Sequence, residues 1–249
     1  MRILLAVFLL LPGIAGAAQC SAQSGPGTAA LVELYTSEGC SSCPPAERWL
    51  STLSSRPAGS VVPLALHVDY WDYIGWKDPY AKREFSLRQR KFSQRQRMAL
   101  VYTPQVMLQG RDFRGWGGKA FDDALARINA QPAKANLRLA ILGADASGLQ
   151  VEAAAELVQA SATADLYLAA YQSRVESRVN AGENRGRLLT HDYVVLQWEG
   201  PFAVPAASLV ERRKLPLLPG AAPAHSGVVA FVQDRRTGEV LQALLRSYC

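Results

Sequence analysis

Cys40-Ser41-Ser42-Cys43 sets two thiols side by side, directly after the apolar run Leu31-Val32-Glu33-Leu34-Tyr35 and before Pro44-Pro45-Ala46-Glu47-Arg48-Trp49-Leu50. The apolar run reads as a strand and the later segment as the opening of a helix. Two prolines are harmless only in a first turn, where the amides they lack have no intrahelical partner. A strand–CxxC–helix order places the thiols at a helix N-terminus, where partial positive charge and free N–H groups favour a thiolate. The thiolate is the attacking species in thiol–disulfide exchange. The competing reading of the same residues is an inert structural disulfide.

The N-terminus bears on that choice. Met1-Arg2 precedes the apolar run Ile3–Leu11, Pro12-Gly13 breaks it, and Ala15-Gly16-Ala17 offers a small-x-small cleavage site. This order predicts a signal peptide over residues 1–17, too short to span a bilayer. The expected location is the periplasm or the medium, with no stable membrane insertion. In an oxidising compartment an even set of four cysteines is read first as disulfides. With Cys40 and Cys43 paired locally, Cys20 and Cys249 remain, and their pairing would close almost the whole chain. The chain-entropy model gives about 5 kcal/mol for such a closure. An intermolecular bridge or free thiols are the alternatives at the termini.

The net charge of +6 is partly local. Lys82, Arg83, Arg88, Arg90, Lys91, Arg95 and Arg97 crowd one segment in which Phe85 and Phe92 stand a heptad apart. It reads as a helix with a narrow apolar stripe and a broad basic, solvated face. Export argues against a nucleic-acid partner. The chain has no P-loop, dinucleotide fingerprint, G-x-S-x-G elbow or H-E-x-x-H helix.

The elements that must position the cysteines follow in alternation. Ala29–Thr36 is a strand, a helix runs to about Leu53, and Val61–Val68 is a second apolar strand. A loop crowded with aromatics and acids, Asp69–Asp78, precedes the basic helix at Pro79–Met98. Val101–Leu108 is a third strand, and Lys119–Asn129 a last helix. Strands alternating with helices predict an α/β layer over residues 28–131. From residue 132 the pattern becomes period two, in Leu137, Leu139, Ile141, then Leu149, Val151, Ala153, and ends in a hairpin about Arg235–Gly238. That predicts a β-rich region at residues 132–249, an antiparallel sandwich.

On this order the first half resembles the thioredoxin family. The resemblance implies an α/β thioredoxin-like domain followed by the antiparallel β-sandwich-like domain. It also implies roles. Thr103-Pro104 stands where such proteins carry a cis-proline facing the sulfurs, and so would dock a substrate chain. Glu33 stands where they carry a buried acid that moves the resolving thiol's proton. His67 would end a strand on the side of the CxxC, as an active-site neighbour or as a satisfied core histidine. Over nearly the whole chain, Glu38–Ala46, His67–Asp72, Gly75-Trp76, Tyr102–Gln105 and Gly182-Glu183-Asn184 are similar to the signatures of a bacterial family of secreted thioredoxin-like proteins of unknown function.

These readings predict an exported protein in which Cys40 attacks, Cys43 resolves and Glu33 relays the proton, acting as a thiol–disulfide oxidoreductase on extracytoplasmic protein thiols or disulfides. Thr103, Pro104, His67, Trp71 and Trp76 would contact the substrate. Glu38 adds a negative charge near Cys40 that opposes a thiolate. His191 and Asp192 are expected to be structural. No cofactor and no metal are expected: a zinc site needs a second ligand pair, and neither Cys20 nor Cys249 has the spacing. The rival is a non-catalytic binding or assembly module stapled by disulfides. A third reading is a copper carrier using Cys40 and Cys43 beside His67, since thiolates favour Cu(I). Substrate, direction of electron flow and oligomeric state stay open.

Overall fold

A computed structural model describes residues 20–249 except 146, 160–162 and 219–221. The expected signal peptide lies outside the described residues. In chain order the elements are β1 (Cys20–Gln23), β2 (Ala30–Thr36), α1 (Pro44–Thr52), β3 (Val61–His67), α2 (Arg83–Arg95), β4 (Gln105–Leu108), β5 (Arg111–Asp112) and α3 (Lys119–Asn129). There follow β6 (Ala135–Asp145), β7 (Gly148–Leu157), β8 (Ala164–Gln172), β9 (Val175–Arg178), β10 (Leu188–His191), β11 (Val194–Val204), β12 (Leu209–Leu215), β13 (Ser226–Asp234) and β14 (Val240–Ser247).

Eight strands make one sheet in the order β14-β13-β8-β11-β3-β2-β4-β5, and β1-β6-β7-β12 make a second. Strands β2 and β3 are buried along their whole length, which is why they read as unbroken apolar runs: both their faces are covered. They run parallel, with Thr36 opposite His67 at their C-terminal ends. Strand β4 returns antiparallel to β2.

The boundary expected between residues 131 and 132 falls within a continuous sheet. Strand β11 pairs parallel with β3 at Val194 and Ala65, and the Ala65 amide donates to the Tyr193 carbonyl at 2.8 Å. Strands β8, β13 and β14 continue from there. The correction has a simple cause: period-two runs announce strands but not their neighbours. One face of the large sheet carries a continuous core from Leu31, Tyr35 and Leu64 to Tyr171 and Phe231, with Phe85 and Phe92 of α2 packed on it. On the other face α1 and α3 cover β2, β3 and β4. The small sheet packs against β8, β13 and β14 through Leu137, Leu139, Leu166, Leu168 and Val228.

Helix α2 begins at Arg83 and β4 at Gln105, both later than the apolar pattern predicts. Asp78, near the expected helix start, is spent on side-chain bonds instead, as described below. The thirteen-residue helix is not uniformly solvated either. Arg88 turns inward, over the rings of Phe92 at 4.7 Å, Trp198 at 4.8 Å and Phe231 at 5.2 Å. A Cys20–Cys249 disulfide, with Cα atoms 5.7 Å apart, joins β1 to the residues after β14 across 229 positions of chain.

Candidate functional site: a buried disulfide above a charged cluster

Helix α1 starts where the prolines allow, with Cys43 as its N-cap and Pro44-Pro45 in the first turn. The Cys43 carbonyl accepts from the amides of Ala46 at 2.9 Å and Glu47 at 3.2 Å. Cys40 and Cys43 form a disulfide with Cα atoms 5.4 Å apart. Ser41 and Ser42 between them are exposed, but neither cysteine exposes any surface.

The cover is the segment Asp69–Ile74, a 3-10 turn, continued by Trp76. A Cβ on Gly39 would stand 3.1 Å from Ile74 and 3.3 Å from Trp71, so the position before Cys40 is packed tightly against the cover. Gly182, at φ +72°, is crowded by the same Ile74 and by Trp76. The cover is thus clamped between the CxxC segment and the Gly182–Asn184 loop. Asn184 Nδ2 donates to the carbonyls of Glu38 at 2.8 Å and Cys40 at 2.9 Å. Glu183 accepts from the Ser41 amide at 2.9 Å and its hydroxyl at 2.7 Å. Those bonds lower the Glu183 carboxyl below its ordinary range.

Beneath the cover lies a cluster of buried charged groups. His191 Nδ1 meets Glu47 at 2.8 Å and its Nε2 meets Glu38 at 3.1 Å. Burial alone would lower the imidazolium's pKa. The two carboxylates outweigh it and push His191 up to about 10, so the ring is charged at neutral pH. Burial raises Glu47, but its bond from His191 prevails and holds the carboxyl below the ordinary range. The other Glu47 oxygen accepts from Thr36 Oγ1. His67 Nδ1 bonds Asp78 at 2.8 Å with both groups fully buried, and Asp78 too is held low by that histidine against its burial. Asp78 also accepts from the Glu38 amide at 2.8 Å. The His67 and His191 rings meet edge to face at 5.1 Å.

The predicted site residues separate on this evidence. Cys40, Cys43, Thr103, Trp71 and Trp76 gather at one end of the sheet. Thr103-Pro104 is a cis peptide leading into β4, and Thr103 Oγ1 accepts from Trp71 Nε1 at 2.7 Å. Trp76 Nε1 donates to Glu38 at 2.7 Å. Both indoles are half-buried with their polar ends turned inward, one onto the proline segment and the other onto the charged cluster. His67 is buried, which corrects its expected substrate contact: it bonds Asp78 and faces His191.

Glu33 requires the larger correction. Side chains alternate along a strand, so Glu33 shares a face with Leu31 and Tyr35, while Val32 and Leu34 face α1 and its cysteines. Its carboxylate accepts from Arg88 Nε at 2.6 Å, on the opposite side of the sheet. It cannot relay a proton to Cys43. The groups sequence reasoning missed are Glu47 and His191, and the available signal was Glu47 one helical turn after Cys43, on its face of α1. Glu38 does not act as the bare charge expected beside Cys40, since both its oxygens are taken by His191 and Trp76.

A cavity of about 600 Å3 opens beside the proline segment, lined by Leu100, Tyr102, Pro104, Phe113 and Trp116 among others. Trp116 packs on Trp49 of α1 with ring centroids 5.2 Å apart. One wall of the cavity thus rests on α1, while Pro104 of the cis peptide forms another.

No helix among the described residues is long and apolar enough to cross a membrane. Among curated proteins none matches the chain. Of solved structures, a protein from Agrobacterium tumefaciens is 26% identical, with a TM-score of 0.69 over 91% of this chain and 97% of that one. HBP35 of Porphyromonas gingivalis is 14% identical, with a TM-score of 0.68 over 90% of this chain and 76% of that one, a likeness of fold alone. The model of the DUF1223 family matches residues 31–233, which take in the CxxC, the cover and the Gly182–Asn184 loop. The chain belongs to this family of proteins of unknown function.

Proposed function

We propose that this is an exported thioredoxin-like protein whose Cys40–Cys43 pair exchanges with thiols and disulfides of extracytoplasmic proteins. The observation that carries the reading is the bridge itself. A disulfide stands at a strand-to-helix junction, with Cys43 capping α1 and Thr103-Pro104 tied to the same cover through Trp71. In the oxidised form a substrate thiolate attacks one sulfur, and the S–S bond breaks to leave a mixed disulfide and a protein thiolate. A second substrate thiolate then displaces the protein, so two electrons pass to Cys40 and Cys43 and the substrate leaves with its own disulfide. Reversal of these steps reduces a substrate, with Cys40 attacking and Cys43 resolving. The cavity beside Pro104 suits an apolar side chain of the docked substrate.

A second reading has its own observation. Both cysteines are fully buried, with Trp71 and Ile74 packed over the neighbouring Gly39, and an inert staple in a binding or assembly module needs no access. A trapping experiment separates the two. Under the exchange reading, a Cys43→Ala variant incubated with an extracytoplasmic extract accumulates mixed disulfides through Cys40. If it accumulates none while Cys40→Ser/Cys43→Ser loses only stability, the staple stands.

A further inference from the structure

The charged cluster has a chemistry that sulfur exchange does not use. Glu47, His67 and His191 are all buried, and their ligand atoms lie within 4.8 Å of one another. They come from α1, the end of β3 and the end of β10, three segments that only the fold brings together.

Each histidine is backed by a carboxylate. Asp78 holds Nδ1 of His67, and Glu38 holds Nε2 of His191. Thr36 holds the outer oxygen of Glu47. That leaves one atom of each group for a shared ligand: His67 Nε2, His191 Nδ1 and the other Glu47 oxygen. Between His191 and Glu47 a shared proton fills the gap at 2.8 Å. His67 Nε2 has no such substitute, being buried without a hydrogen-bond partner. With Nδ1 engaged by Asp78, Nε2 is the ring atom left open to a metal, and a carboxylate on the far nitrogen is the usual orienting partner of a ligating histidine.

We propose that Glu47, His67 and His191 form a site for a borderline divalent cation of the zinc class. Two imidazoles and one carboxylate, each oriented by an outer hydrogen bond, make up a ligand set that zinc favours. Tetrahedral ligands of zinc stand about 3.4 Å apart, so the His191–Glu47 pair at 2.8 Å opens by roughly half an ångström to admit the ion while His67 closes on it. Binding displaces the proton between His191 and Glu47, and the ion's charge takes over the neutralisation of Glu47. The cysteines have no part in it, so the site stands or falls independently of sulfur exchange.

The test uses the processed full chain with both disulfides formed, stripped with chelator and offered Zn2+ both as native protein and during refolding. One zinc per chain is expected. Its X-ray absorption should show only nitrogen and oxygen at about 2.0–2.1 Å, with imidazole scattering. His67→Asn retains a donor to Asp78 and removes Nε2, and should weaken zinc binding by at least about 100-fold. Cys40→Ser/Cys43→Ser should still bind one zinc. Failure of the wild type to retain zinc overturns the proposal. So do a sulfur scatterer at about 2.3 Å, loss of zinc from the double serine variant, and unaltered binding by His67→Asn. Should His67→Asn not fold, as judged by circular dichroism, the absorption spectrum of the wild type decides alone.

Discussion

His191 lies 153 positions after Glu38 and meets its carboxylate at 3.1 Å, while its other ring nitrogen holds Glu47 at 2.8 Å. One imidazolium thus ties the segment before the CxxC to the helix after it. Its charge should be visible in the pH dependence of stability. The folded state holds His191 up to about 10, against an ordinary 6.5, so the stabilisation is complete below pH 6.5 and is lost as pH climbs toward 10. Glu47 is held low by the same pair, so its share disappears in acid, as pH falls through the carboxylate range. Denaturant melts in chelator should show an alkaline decline of a few kcal/mol between those limits. His191→Gln should flatten it; an unchanged alkaline limb would remove His191 as its source.

Access to the disulfide depends on Trp71. The indole donates to Thr103, while the Trp71 Cβ and Ile74 pack closely over Gly39. Trp71→Ala should open the cover and speed reduction of Cys40–Cys43 by dithiothreitol by roughly tenfold or more, equivalent to about 1.4 kcal/mol of barrier. Trp71→Phe removes only the bond to Thr103 and should have a smaller effect, about 1 kcal/mol in stability. Stopped-flow thiol release against protein stability distinguishes opened access from global loosening.

Glu33 and Arg88 are a buried pair, and the guanidinium is additionally enclosed by Phe92, Trp198 and Phe231. Arg88→Met leaves Glu33 charged without a partner and should cost about 3–5 kcal/mol. Glu33→Leu combined with Arg88→Met should recover most of that loss, because two apolar groups then replace two desolvated charges. Neither change should alter the reduction rate of the disulfide, since the pair lies on the far face of the sheet. Urea melts and dithiothreitol kinetics on the two variants check both halves.

Asn184 is fully buried and supplies one amide to two carbonyls around Cys40. Asn184→Ala leaves both acceptors buried without that donor, and the expected cost is about 2–3 kcal/mol. Hydrogen exchange at Gly39–Ser42 should rise with it. Glu183→Gln, whose partner Ser41 is exposed, should leave the urea midpoint nearly unchanged.

The local devices were legible in one dimension. The start of α1 follows from two prolines that a helix interior could not accept, and α3 follows from an apolar stripe at helical spacing. Counting left Cys20 and Cys249 as candidate partners once Cys40 and Cys43 were taken as local, with an intermolecular bridge or free thiols still open; the fold is what brings them together. Period-two runs gave strands after residue 135, but backbone hydrogen bonds carry no side-chain signature. That β11 would dock on β3 and merge the halves into one sheet could not be read from them.

What the tertiary structure decided is the company each charge keeps. Glu33 is an acid in the strand before a CxxC in one dimension, and the pleat sends it to the wrong side of the sheet, to Arg88. His191 sits in an ordinary-looking turn of sequence, and the β9–β10 pairing brings it against α1, to Glu47. Electrostatic energy falls off over a few ångströms, so which groups are within hydrogen-bond reach matters more than which residues are present. The residues themselves settled that sulfur would sit at the head of a helix. Only the packing decided that it would be buried, and that the groups beneath it would be His191 and Glu47.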